Sequence, residues 1–162
     1  MNFPLLVIPD LWVLILNIIL WPIFHLGISK ITLVMNDKHF EFDRGIYAIR
    51  KYEKEGLFYT KTLHIRRWKK WIPDGATIFN EGFKKKQLLG TQKSYIEQFI
   101  LETRRAEFTH ILQIIPCITF FIFNVWWVAI IMVIYAFAFN LPLIWLQRYN
   151  RIRFTALLKR LR

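Results

Sequence analysis

The sequence predicts an all-α integral membrane protein with three transmembrane helices: one N-terminal span, then a C-terminal helical hairpin, with a membrane-apposed cytoplasmic segment between them. Three observations predict this. Hydrophobic residues make up 55% of the 162, and mean hydropathy is +0.30, high for a water-soluble chain of this size. All 23 Lys and Arg fall between Lys30 and Arg105 or between Arg148 and Arg162. The stretches they avoid include two apolar blocks, 11–28 and 111–146, of membrane-crossing length. A net charge of +12 would point to nucleic acid in a soluble chain, but charge sorted in this way follows a bilayer's geometry. No nucleic-acid partner is expected. Cys117 is the single cysteine, which excludes a disulfide framework and a cysteine metal cluster.

The first element, residues 1–29, carries the span LWVLILNIILWPIFHLGI from Leu11 to Ile28. It is long enough for a hydrocarbon core of about 30 Å. No basic residue precedes it and no small-x-small cleavage site follows, so a signal peptide is not the expectation.

Residues 30–93 form a basic interfacial segment of mixed apolar and cationic clusters. Tyr47, Ile49 and Tyr52 predict a short helix, Leu57 to Ile65 fits strand or helix, and IPDG at 72–75 is a turn. Trp68 and Trp71, interleaved with Arg66, Arg67, Lys69 and Lys70, suit a headgroup layer or, equally, the closure of a small core.

Residues 94–146 are an amphipathic helix running into the hairpin. Ser94 and Glu97 form a capping box at its start, and Asn124, with Trp126 and Trp127 just beyond, suits a turn at the far interface. Residues 147–162 are a basic tail. Lys30, Lys38, Arg104, Arg105 and that tail lie on one side, while the other offers Asp10 and Asn124. The positive-inside tendency then places the C-terminus in the cytoplasm and the N-terminus outside. No internal repeat or low-complexity linker is present.

The candidate catalytic residues lie in ETRRAEFTH at 102–110. Ile96, Phe99, Ile100 and Thr103 share one helical face, and continuing it gives Glu107, His110 and Ile114. Counting back from Asn124 puts His110 roughly 21 Å and Glu107 roughly 25 Å along the helix, near the cytoplasmic edge of the core. Ionisable groups at that depth are costly and point to function. A His held by a carboxylate accepts a proton near neutral pH, as a hydroxyl attacking an acyl carbonyl requires. The structural alternative pairs Glu107 with an arginine of the tail and His110 with a backbone carbonyl. A di-iron reading fails at its second half, because His25, His39 and His64 have no Glu three residues before them. No HExxH, Gly-x-Ser-x-Gly elbow or phosphate-cradling glycine loop occurs, and no metal site is expected. In the tail, Arg148, Arg151 and Arg153 beside Gln147, Tyr149 and Asn150 suit phosphates or carboxylates, although a stop-transfer cluster explains the charges alone.

RRWKKWIPDG at 66–75, ETRRAEFTH at 102–110 and LPLIWLQRYNRIRF at 141–154, in that order and spacing, resemble the glycosyl-4,4'-diaponeurosporenoate acyltransferases of staphyloxanthin-type carotenoid synthesis in Gram-positive bacteria. The likeness covers most of the chain after about residue 40. Ile111 and Ile152 depart from it, where an aromatic and a proline are expected. The resemblance implies a bacterial cell-membrane enzyme that moves a fatty acyl group to a hydroxyl of the glucose on a glycosylated C30 carotenoid or another glycolipid.

On that reading His110 is the general base, with Glu107 orienting it. Arg148, Arg151 and Arg105 bind the phosphates of an acyl-CoA or acyl-carrier-protein thioester, and Asn150 serves the oxyanion. Gln147, Tyr149, Trp68 and Asp74 complete the substrate-binding set, and His64 is a weaker candidate. No bound cofactor is expected. Partners would be membrane lipid, an acyl carrier protein and further copies of the chain. Two alternatives stay open at this level: a non-enzymatic scaffold that binds anionic lipid or a protein, and a metal-dependent membrane oxidoreductase.

Overall fold

The computed structural model describes residues 4–72 and 93–161. Every regular element in them is helical. The turn expected at 72–75 has Pro73, Asp74 and Gly75 outside the described residues, so Asp74 is not placed.

Helix α1 spans Asp10–Leu33, longer at both ends than the apolar run alone. Pro9, at φ −56° and ψ 141°, sets its start, and Asp10 in the first turn and Lys30 in the last suit the helix dipole. Between Met35 and Trp71 the chain makes a series of short helical turns. Two 3-10 turns, Gly45–Tyr47 and Lys51–Gly56, replace the expected single helix. Ala48, with ψ at 129°, breaks the helical run between them. Leu57 to Ile65 resolves as a π-helical turn, Phe58–Thr62, followed by left-handed His64, which opens the one-turn helix α2, Ile65–Trp68. Gly56 has φ +95°, a conformation that L side chains rarely adopt.

Helix α3 spans Lys93–Ile114, so Ser94, expected to cap it, lies inside the helix instead. It stops where Pro116 removes a backbone N–H and its ring opposes the carbonyl four residues earlier. The chain tightens into a 3-10 stretch, Ile115–Phe121, turns near Asn124 and enters helix α4, Trp126–Arg160.

The chain forms two compact units, with α3 and α4 contributing to both. The apolar unit comprises Met1–Val34 and Phe108–Leu143, and the polar unit Met35–Glu107 and Ile144–Arg162. In the apolar unit Trp21, Cys117, Phe120, Phe123 and Ala136 form the core, with Trp21 and Phe120 stacked at 4.9 Å. Asn124 lies in the expected turn before α4, with its side chain buried. Its Nδ2 donates to Asn17 Oδ1 at 2.9 Å, and Asn17 Nδ2 donates back to Asn124 Oδ1 at 2.8 Å. An unpartnered buried amide costs about 1–3 kcal/mol, so the reciprocal pair offsets what neither residue could satisfy alone. Helices α1 and α4 are long and apolar enough to cross a membrane, by length and composition. Only 6% and 22% of their most apolar windows are buried, so the protein itself does not cover those side chains.

Candidate active site

In the polar unit the tail arginines meet carboxylates brought in from far along the chain. Arg148 is engaged at every N–H. Its Nε donates to Glu53 Oε1 at 2.9 Å and leans on the Tyr59 hydroxyl at 3.3 Å. Nη1 donates to Ile46 O and, at 2.6 Å, to Glu107 Oε1, while Nη2 donates to Ala48 O and Glu53 Oε2. Glu53 is thus held by a bidentate fork. Arg151 gives Nη1 to Glu107 Oε2 at 2.5 Å and Nη2 to Tyr47 O at 2.9 Å. Its Nε forms an ion pair at 3.3 Å with Asp43 Oδ1, although not a hydrogen bond, and Asp43 Oδ1 accepts from Arg104 Nε at 2.8 Å. The result is an alternating line: Arg104, Asp43, Arg151, Glu107, Arg148, Glu53. Three cations face three carboxylates in it, and Glu53, Glu107 and Arg151 are at most 1% exposed. This balance is what permits charge in such a buried place.

The line shifts its neighbours' protonation. Burial alone would raise the Glu53 carboxyl, but hydrogen bonds from Arg148, Tyr59 and the Arg50 backbone outweigh it and hold the group below its ordinary value. Burial, then the facing Glu53 carboxylate, pushes the Tyr59 phenol well up. Burial and Glu107 push Tyr47 the same way.

Arg148 therefore keeps no N–H for a phosphate, and Arg151 is fully covered. Arg105 is likewise engaged: it bonds Glu102, Asp37 and Met35 O, with its guanidinium 4.6 Å above the Phe40 ring. Tyr149, 1% exposed, packs with Tyr59, Ile65 and Ile152, and Arg66, Lys69 and Arg153 gather about its ring and hydroxyl. Trp68 packs against that cluster and donates Nε1 to Leu63 O at 2.8 Å, whereas Trp71 is 78% exposed. Trp68 thus takes the core-closing role. Asn150 is half-buried, Gln147 Oε1 is buried without a hydrogen-bond partner, and His64 is exposed.

His110 belongs to the apolar unit. It is half-buried, and its Nδ1 lies 3.0 Å from Gln113 Oε1 and 3.1 Å from Asn140 Oδ1. Gln113 Nε2 donates to Ser29 Oγ and His25 O, and Asn140 Nδ2 donates to Ala136 O. Thr32 and Thr109 share a hydroxyl contact of 2.7 Å in the same unit. A ring nitrogen held by two buried amides, on a half-buried histidine, is suited to proton transfer. Sequence reasoning gave Glu107 the task of orienting His110, but both Glu107 oxygens are held by Arg148 and Arg151, the tail pairing of the structural alternative. The amides of Gln113 and Asn140 hold the His110 ring instead. Those amides, Glu53 and Asp43 were missed. Gln113 and Asn140 were findable as polar residues inside an uncharged block that must find partners. Glu53, in KYEKEG, looks like any solvated charge. Among the described residues, no three His, Cys, Asp or Glu side chains gather as a metal site.

The family model for glycosyl-4,4'-diaponeurosporenoate acyltransferase matches residues 43–160. The chain belongs to that family. Glycosyl-4,4'-diaponeurosporenoate acyltransferases of Staphylococcus aureus strains bovine RF122 / ET3-1, USA300 and NCTC 8325 are each 36% identical to it over 141 residues, covering 86% of this chain and 84% of theirs. No solved structure matches it. Membership makes the chain an acyltransferase and sets the scaffold alternative aside. The matched region takes in the whole alternating line and His110, with its two amide partners.

Proposed function

We propose that this acyltransferase moves a fatty acyl group from a thioester donor, acyl-CoA or acyl carrier protein, to a glucose hydroxyl of a glycosylated C30 carotenoid at the cytoplasmic leaflet of a bacterial membrane. The acceptor follows the name its relatives carry. The observation that carries the reading is His110, half-buried and held at Nδ1 by the buried amides of Gln113 and Asn140. The imidazole takes the hydroxyl proton as the oxygen attacks the thioester carbonyl. The C–O ester bond forms, the C–S bond breaks, and the proton passes to the departing thiolate.

α1, the α3 arm and the first part of α4 are the three membrane crossings, with the N-terminus outside and the C-terminus cytoplasmic. The exposed apolar faces of α1 and α4 support this, and the basic charge at Lys30, Arg104, Arg105 and the tail supports the orientation. The apolar tails of donor and acceptor lie along these helices. An open groove of 520 Å³ lined by Phe24, Ile28, Leu112, Ile115 and Ile118 offers such a surface.

The test uses membranes from cells making the chain, supplied with acyl-CoA and glycosyl carotenoid, and mass spectrometry of the extracted lipids. An acylated glycosyl carotenoid is expected, and its loss in His110→Gln. Transfer that persists in His110→Gln would end the base assignment. Acylation of a different lipid would change the acceptor alone.

A further inference from the structure

Which end of each amide faces His110 is decided by backbone carbonyls, which only accept hydrogen bonds. Gln113 Nε2 donates to His25 O at 3.1 Å and to Ser29 Oγ at 3.0 Å. Asn140 Nδ2 donates to Ala136 O at 2.9 Å. Turning either amide around would set oxygen against oxygen, so it is Oε1 of Gln113 and Oδ1 of Asn140 that face the ring. Nδ1 then meets two acceptors and carries a hydrogen whether the ring is neutral or charged. In the neutral ring the lone pair sits on Nε2. Histidine free in water favours the reverse arrangement, so the protein imposes this one. Asn140 is fully buried and Gln113 is 3% exposed, while His110 itself is partly open. The supports are fixed where the ring is reachable.

We infer that Gln113 and Asn140 are positioning residues for acyl transfer, holding His110 as the Nδ1–H tautomer so that Nε2 receives the proton of the acceptor hydroxyl. This rests on the reading of His110 as the base. Two neutral amides do what a carboxylate does for histidine in many hydrolytic sites, without a second buried charge in the apolar unit.

Solid-state NMR of ¹⁵N-histidine-labelled protein in lipid vesicles tests the tautomer directly, with the His110 signals assigned by difference against His110→Gln. The chain has 4 histidines, so the spectrum is tractable. A protonated Nδ1 and a non-protonated Nε2 are expected of the neutral ring, and the reverse would overturn the inference without any variant of the amides. Asn140→Leu and Gln113→Leu should return part of the population to the water-favoured tautomer and lower kcat about tenfold, with KM for the acceptor little changed. A fall in kcat with the tautomer unmoved would make the amides merely structural and overturn the inference. Should the tautomer be as stated while His110→Gln still transfers acyl groups, the base role fails and takes the amides' catalytic meaning with it. The reversed tautomer, by contrast, fails this inference alone.

Discussion

Glu107 and Arg148 show how much one side chain decides here. Removing one partner of a buried ion pair leaves the other charge uncompensated, at about 3–5 kcal/mol. Glu107→Gln and Arg148→Met are therefore expected to lower stability by that order, read by chemical denaturation in detergent, and to reduce accumulation in membranes. The Arg148 variant should not raise KM for the acyl donor in whatever protein survives. Glu53 supplies the pH dependence. Its pKa is depressed on folding, so its contribution is whole above the ordinary value of 4.5 and is lost as pH falls through the folded value. The midpoint of thermal unfolding should drop on acidification below that range, and less steeply in Glu53→Gln. At this scale the sequence revealed Glu107 and His110 through helical phase and offered a tail arginine for Glu107, but hid the amide partners of His110 and the place of Glu53. Glu53 and Arg148 are 95 residues apart, and no local pattern joins them.

Among the elements, the turn before α4 depends on one amide in the middle of α1. A double-mutant cycle on Asn17→Ala and Asn124→Ala should give a coupling of about 0.6–2 kcal/mol, the range of interhelical hydrogen bonds in apolar surroundings. Additivity of the two would show that the pair contributes nothing. Gly56→Ala is expected to cost about 1 kcal/mol or more, since φ at +95° resists any Cβ even though the nearest atom, Ile152 Cγ2, is 3.6 Å away. Helices α1, α3 and α4 were legible because hydropathy and 3.6-residue periodicity act over many residues at once. The stretch from Met35 to Trp71 was not. Its turns are set by single residues, such as Gly56 and left-handed His64, and by tertiary bonds from α4.

For the molecule as a whole, the proposed topology is open to chemistry because Cys117 is the only thiol. In a Cys117→Ser background, a cysteine placed at Leu5 should react with an impermeant maleimide from outside intact cells, and one at Leu161 only after the membrane is opened. The converse pattern would invert the orientation. Apolar composition told of the exposed helices but not of a polar unit that buries a line of paired charges beside its apolar cluster, because burial of charge follows from pairing and not from residue type. The alternating line also orders events in time. Glu53 and Glu107 are synthesised before Arg148 and Arg151, 41 residues or more ahead in the chain, so both acids wait without counter-ions until the last helix leaves the ribosome. A transcript cut short before codon 148 would yield a chain that cannot neutralise its own interior, and membrane proteases should clear it instead of letting a partial enzyme persist.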